Sequence, residues 1–282
     1  KINPNFYENY NEKGNALNEL KQLELAIENY DKAIKINPNF VQAHSNKGFA
    51  LQKLNRVDAA LKSYYKAFKI NPDIDFLFGE LIHTKNKLCD WENFDKNLNT
   101  LEKKIIGKKK TSTPFPILHL YDSPMLQRIS AEIWNKEKFH NNNILKNVSY
   151  KPQKKIRIGY YSSDFHNHAV SYLIVDLFKL HNKSKFELFG FSFGPNKKDE
   201  MRKKISSKFD HFFDMRLSTD KEIVKLSRKL NIDIAIDLSC FTLNNKFGVF
   251  VERCAPIQVN YLGYPGTSGT DCIDYIIADK TV

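Results

Sequence analysis

The chain repeats itself at a fixed interval. The hexapeptide KINPNF at residues 1–6 returns unchanged at 35–40 and nearly so, as KINPDI, at 69–74, so the period is 34 residues. Inside that frame Gly14 answers to Gly48, Leu17 to Leu51, Ala26 to Ala60, Tyr30 to Tyr64, Ala33 to Ala67 and Pro38 to Pro72. A period of this length belongs to stacked supersecondary units, each too small to bury its own apolar face alone. Glycine and alanine at fixed positions let paired helices approach closely. Proline after each second helix stops it, because the ring removes a donor and clashes with the preceding turn.

These positions resemble the tetratricopeptide repeat, so the first part of the chain is expected to be an α-solenoid. A third helical pair, over 74–87 and 91–106, lacks the signature residues and reads as a degenerate or capping repeat. Residue 1 is Lys rather than Met, and 1–6 resemble the tail of a preceding repeat. The expectation is a chain that starts inside a longer array.

The helical period stops in the run KKKTSTPFP, so 108–116 is predicted to be a linker or a domain boundary. Ser123 followed by Pro124 predicts a capped helix with Met125, Leu126, Ile129, Ile133 and Trp134 on its apolar stripe, bridging two domains. The Asn-rich segment 141–155 reads as an exposed connector. Beyond it the pattern alternates. Strands are predicted over 156–161, 186–193, 211–213, 232–238, 257–262 and 275–277, with helices over 171–180, 199–207, 219–230 and 246–253. Strands separated by helices of this length imply βαβ units and a parallel, Rossmann-like sheet. The domains are therefore 1–108 (repeats), 109–154 (linker and bridging helix) and 155–282 (α/β).

Composition narrows the classes of function. No apolar run approaches the roughly 20 residues that span a bilayer, and the polar start is no signal peptide, which points to a cytoplasmic protein without a membrane partner. Cys89, Cys240, Cys254 and Cys272 are scattered with no CxxC pair and read as buried thiols. The net charge of +12 attracts anions. Yet only 7 of the 44 basic residues are Arg, the side chain suited to bidentate phosphate and base contacts, which argues against a nucleic-acid partner.

Three stretches could carry chemistry. The first strand runs into SSDFHNH, ending at His168, and loops beyond the carboxyl ends of parallel strands are where open α/β sheets bind ligands. A loop histidine is more often a solvated hydrogen-bonding residue than a catalyst, but at this edge His166 or His168 could take a proton from a hydroxyl. A metal held by Asp164, His166 and His168 lacks further ligands in the sequence. The second stretch, LGYPGTSG at 262–269, could bring backbone amides close to a ligand or form a tight turn; it has no P-loop lysine. In the third, DLSCFT at 237–242, Ser239 and Thr242 reach the same edge, or Thr242 or Asn244 caps the next helix. No GxGxxG follows the first strand, so no dinucleotide cofactor is implied.

Taken together, the 156–168 stretch with AVSYL after it, APIQVNYLGYPGTSG at 255–269 and DYIIAD at 274–279 resemble the protein O-GlcNAc transferase family, in particular its bacterial members. The resemblance implies a GT-B glycosyltransferase of which 155–282 is the N-terminal Rossmann-like half, the second half lying beyond residue 282. It implies inverting transfer of N-acetylglucosamine from UDP-GlcNAc to Ser or Thr hydroxyls, with no metal and no cofactor besides the donor substrate, the repeats presenting a protein or peptide acceptor. His168 matches the family's histidine argued to act as base or donor contact, and Thr242, Tyr264, Pro265, Gly266 and Thr267 match residues lining the donor and acceptor cleft. His166 falls where the family is variable. Three departures stand out: Cys240-Phe241-Thr242 in place of Gly-Tyr-Thr or Gly-His-Thr, Lys246 in place of Arg, and Cys254 in place of Pro. Alternative expectations are transfer of another sugar or to Asn, and a non-catalytic repeat scaffold; on this reading 282 residues without the second half are inactive.

Overall fold

The computed structural model describes residues 6–139, 148–150 and 153–280. The chain divides into two compact units, Lys1–Trp134 and Asn135–Val282.

In the first unit the 34-residue period is a ring laid on a glycine. Helices α1 (Tyr7–Glu19) and α2 (Leu23–Ile36) form one pair, α3 (Val41–Lys53) and α4 (Val57–Ile70) the next. A Cβ on Gly14 would stand 2.5 Å from the Tyr30 ring, and one on Gly48 would stand 2.4 Å from the Tyr64 ring. Both tyrosines are buried, and each donates its hydroxyl to a helix of its own pair, Tyr30 to Asn15 Oδ1 at 3.0 Å and Tyr64 to Gln52 Oε1 at 2.9 Å. Ala26, Ala33, Ala60 and Ala67 are fully buried beside them. The chain turns extended at Asn37 and Asn71, just ahead of Pro38 and Pro72. The first KINPN copy lies outside the described residues.

The third pair differs from expectation. Helix α5 (Leu77–Lys87) is buried along nearly its whole length, Glu80, Thr84 and Lys85 included, so it is an interior helix rather than a cap. What covers it, besides α4 and α6 (Phe94–Ile106), is the segment predicted as linker. The Phe76 amide donates to Lys110 O at 2.6 Å and the Gly79 amide to Thr111 O at 3.0 Å, which satisfies amides at the start of α5. Gly79 is required there, since a Cβ would meet Ser112 Oγ at 1.9 Å. The Thr113 hydroxyl donates to the buried Glu80 carboxylate, whose pKa burial raises. Helices α7 (Pro114–Leu120) and α8 (Pro124–Lys138) follow, and Ile117, Leu120 and Leu126 join Phe78, Ile82, Leu101 and Ile105 in one core. Residues 109–134 thus belong to the helical unit, and the boundary falls inside α8. Ser123 caps α8 as predicted, Trp134 edges onto Phe76 at 5.0 Å, and Met125 is exposed rather than packed. The 141–155 connector falls largely outside the described residues.

The second unit is a parallel sheet in the order β3-β2-β1-β4-β5-β6. Its strands are β1 (Ile156–Ser162), β2 (Phe186–Ser192), β3 (His211–Asp214), β4 (Ile234–Asp237), β5 (Ile257–Tyr261) and β6 (Tyr275–Ile277). The predicted helix over 171–180 is two pieces, α9 (Ala169–Ile174) and α10 (Leu177–Leu180), with the β-branched pair Ile174-Val175, poor helix formers, at the break. Helices α11 (Glu200–Ser206), α12 (Asp220–Lys229) and α13 (Gly248–Val251) complete the unit, α12 opening with a Thr219/Glu222 capping box. Alternation along β1 separates two layers. Ile158 and Tyr160 pack with Ile174, Phe178, Met201 and Ile205; Tyr161 stacks on Phe191 at 4.4 Å and donates to or accepts from Ser227 Oγ at 2.6 Å on the other face. All four cysteines are unpaired, and Cys89 is exposed, against the expectation that every thiol is buried.

Candidate active site at the carboxyl edge of the sheet

Strand order reverses between β1 and β4, and the carboxyl ends of strands at such a switch point are where open α/β sheets bind ligands. Three predicted stretches leave the sheet at this edge, after β1, β4 and β5. Hydrogen bonds join the first two. The Ser163 amide donates to Ser239 Oγ at 3.3 Å, and Ser163 Oγ donates to Leu243 O at 3.3 Å. Close packing joins the second to the third: a Cβ on Gly263 would stand 1.8 Å from Leu238 O, and Phe241 meets the Tyr264 ring edge-on at 5.4 Å.

The two histidines are in different environments. His166 is 7% exposed with Nδ1 3.2 Å from Asn167 O, and burial lowers its pKa, which favours a neutral, internal imidazole. His168 has a 43% exposed side chain and caps α9, its Nδ1 accepting the Val170 amide at 3.3 Å. With Nδ1 accepting, a neutral ring carries its proton on Nε2. The loop around them is fixed from below, because Asp199 accepts the Asn167 amide at 3.0 Å and Arg202 donates to Phe165 O at 3.2 Å. Asp164 Oδ2 lies 4.0 Å from His168 Nδ1. Among the described residues no group of three His, Cys, Asp or Glu side chains is placed to hold a metal ion.

The β4 loop is organised by a residue to which sequence reasoning gave no role. Asp237, the last residue of β4, is buried, and its Oδ1 accepts the amides of Ser239 at 2.9 Å and Cys240 at 3.0 Å. Those bonds bend the chain so that Cys240 takes a left-handed φ of 43°. This conformation suits glycine and costs another residue roughly 1–2 kcal/mol. Burial pushes the Asp237 carboxyl up to about 6. Thr242 is half-buried and closes the turn, its amide donating to Ser239 O at 2.9 Å. Lys246 carries no spare charge: it donates to Ser218 O at 2.8 Å and pairs with Asp220 at 3.3 Å.

The β5 loop divides its predicted residues. Pro265 is exposed and Thr267 half-buried, Thr267 Oγ1 accepting the Gly269 amide at 3.2 Å. Gly266 lies on the Tyr264 ring, where a Cβ would stand 2.8 Å away. Tyr264 itself is 1% exposed and burial raises its phenol, so the side chain supports the loop from inside rather than lining an open surface. Asn260 Nδ2 holds the Tyr264 carbonyl at 3.2 Å. Asp237 and Asn260 are register partners in β4 and β5. Four polar atoms here, Asp237 Oδ2, Asn260 Oδ1, Thr242 Oγ1 and Tyr264 OH, are buried without a hydrogen-bond partner among the described residues. Buried polar atoms are nearly always paired, so such a concentration marks a site that takes water or ligand atoms. The sequence signal was available: a carboxylate and a carboxamide interrupt the apolar strands IAID and IQVNY near their carboxyl ends.

The model for glycosyl transferase family 41 matches residues 88–282, more than two thirds of the chain. The chain belongs to glycosyl transferase family 41. Tetratricopeptide-repeat models match 14–55 and 41–74 of this family 41 chain. It is 32% identical over 219 residues to the probable UDP-N-acetylglucosamine–peptide N-acetylglucosaminyltransferase SEC of Arabidopsis thaliana, covering 72% of this chain and 22% of that one. It is 31% identical over 209 residues to the UDP-N-acetylglucosamine–peptide N-acetylglucosaminyltransferase of Caenorhabditis elegans, covering 68% and 18%. The chain thus spans about a fifth of the length of these relatives. A solved O-GlcNAc transferase mutant from Thermobaculum terrenum superposes with a TM-score of 0.60 at 23% identity, over 99% of this chain and 48% of that one, and shares the repeat-then-parallel-sheet fold.

Proposed function

We propose that this family 41 chain is part of a protein glycosyltransferase that moves N-acetylglucosamine from UDP-GlcNAc to Ser or Thr hydroxyls, with the repeats presenting the protein acceptor. The family match across the whole α/β unit carries the reading. The β1/β4 switch point supports it, since that is where nucleotide ligands sit in such sheets. The reaction needs no resident cofactor or metal on this reading: the nucleotide sugar is the only small molecule, and the cytoplasm, where it meets proteins with reduced thiols, is the place of action.

His168 is the residue we assign to the reacting groups. As a cap with its proton on Nε2, the neutral ring offers a hydrogen-bond donor to a phosphate or sugar oxygen. To serve as base it must first release the Val170 amide, which makes donor contact its resting role. Thr242, Pro265, Gly266 and Thr267 supply the adjoining wall, and Tyr264 braces it from behind. Asp237 fixes the turn that carries Thr242.

The test uses the full-length protein with UDP-GlcNAc and a Ser/Thr peptide, read by mass spectrometry of the modified residue. His168→Asn keeps a good helix cap while removing the imidazole. Transfer should fall by at least about tenfold, the loss of one charge-developing contact. Undiminished transfer by His168→Asn removes the assignment. Transfer of a different sugar, or none by the unaltered protein, removes the functional reading itself.

A further inference from the structure

We propose that the outer face of α4 is a docking surface for an acidic segment of a partner protein, one carrying an aromatic or aliphatic residue among its carboxylates. The buried side of α4 is Ala60, Ser63, Tyr64 and Ala67. Lys62, Tyr65, Lys66 and Lys69, which point away from it, line an open groove of about 570 Å³ together with Pro72 and the edge of Phe68, a ring that also packs on Phe78. Lys62, Lys66 and Lys69 follow one another at helical spacing, so they lie along one face about 10 Å long. No ion pair holds any of the three among the described residues, and no carboxylate lines the groove. The acids that follow Pro72 are occupied elsewhere, Asp73 with Lys104 at 2.9 Å and Asp75 with Lys110 at 3.4 Å.

The repeat provides an internal control. The residues 34 positions earlier, on the matching exposed face of α2, are Glu28, Asp31, Lys32 and Lys35, where α4 has Lys62, Tyr65, Lys66 and Lys69. Two acids and two bases balance on α2. On α4 both acids are gone, replaced by a third cation and an aromatic ring that is 42% exposed. Burial of the core requires neither exchange, since α2 buries the same core; Asp31 there has Lys47 of α3 as a partner at 2.6 Å, and the residue 34 positions after Lys47 is Leu81. Lys85, buried and paired with Asp90 at 3.3 Å, stands with its Nζ 6.0 Å from the centre of the Tyr65 ring and backs the ring from the protein side.

The floor of the groove, Phe68 and Pro72 with the Tyr65 ring, is apolar, so a partner that only neutralised the lysines would leave it wet. An extended acidic peptide with one apolar anchor satisfies both halves of the surface, the charges steering it and the anchor supplying most of the affinity. Nucleic acid fits less well: three lysines neutralise few phosphates, whereas tight non-specific binding takes about six to ten such contacts.

The experiment is fluorescence polarisation on this chain with a labelled peptide of Asp and Glu flanking one Phe, beside the same peptide with amides in place of its acids, the acidic peptide with Ala in place of Phe, and an unlabelled single-stranded oligonucleotide as competitor. The acidic Phe peptide should bind, with affinity falling as salt rises, and both altered peptides should bind at least about tenfold more weakly. Lys62→Glu with Tyr65→Asp, the pair found on α2, should abolish the preference while circular dichroism stays unchanged. The reciprocal change on α2, Glu28→Lys with Asp31→Tyr, should add a second site. Absence of binding, equal binding by the α4 variant, or equal binding by the amide or Ala peptide overturns the proposal, and an oligonucleotide that displaces the peptide at equal charge assigns the face to nucleic acid instead.

Discussion

Gly263 carries its Cα so close to the carbonyl of Leu238 that a single added carbon would stand 1.8 Å from the oxygen. The contact joins the loop after β5 to the end of β4 and sets how near the segment containing Thr267 comes to the segment containing Thr242. Backbone atoms cannot swing aside as a side-chain tip can. Gly263→Ala should therefore separate the two loops and destabilise the α/β unit by about 1–3 kcal/mol, the usual range for overpacking. Thermal unfolding followed by circular dichroism measures it. An unchanged Tm would mean that the loops yield freely and that this contact does not hold the edge together.

The helical unit offers a similar test with two opposed effects. Replacing glycine by alanine inside an exposed helix gains about 1 kcal/mol of helix propensity. At Gly48, however, the new Cβ would stand 2.4 Å from the fully buried Tyr64 ring, whose hydroxyl is anchored on Gln52. Steric displacement should outweigh propensity, and Gly48→Ala should lower stability by about 1–3 kcal/mol. Gly48→Ala combined with Tyr64→Leu, which removes the ring, should recover part of the loss in urea unfolding. A stabilised single variant would show that the ring moves without cost.

Asp237 gives the α/β unit a pH dependence of definite sign. Its carboxyl is raised from 3.8 to about 6, burial being the largest cause, with the Cys240 and Ser239 amides opposing it. A raised folded-state value means that the native state holds the proton more tightly than the unfolded chain. The stabilising contribution is complete below 3.8 and is lost as pH rises through 6. At about 1.4 kcal/mol per pKa unit the swing is about 3 kcal/mol. Asp237→Asn keeps an acceptor for the two amides and cannot ionise. It should be more stable than the unaltered chain at pH 7.5 and lose the decline between pH 4 and 6.5 in urea unfolding; the same decline in both proteins would place its origin elsewhere.

The repeat was legible in full because its register is a steric rule: each glycine at one position demands a ring at another, and both recur in the string. The strands were legible for a related reason, as apolar β-branched runs bounded by polar segments. Helix 171–180 was read as continuous although it breaks at the β-branched pair Ile174-Val175, and the segment 108–116 was misread for a different reason. Local pattern sees propensity and punctuation, whereas Thr111 and Ser112 are buried because the amides of Phe76 and Gly79, more than 30 residues earlier, take the carbonyls of Lys110 and Thr111. His168 could be singled out by position and resemblance, but not its hydrogen-bonding state, which depends on the Val170 amide. Tyr264 matched a cleft residue in sequence and is buried in the fold.

Sequence alone determined the classes of unit, their order and the family to which the chain is similar, since these follow from periodicity and from motifs that are contiguous in the chain. Tertiary structure decided which polar groups converge. Asp237 and Asn260 are 23 residues apart along the chain and become register neighbours only when β4 pairs with β5. Both carry a buried oxygen without a hydrogen-bond partner among the described residues, and burial is a property that no single stretch of sequence carries.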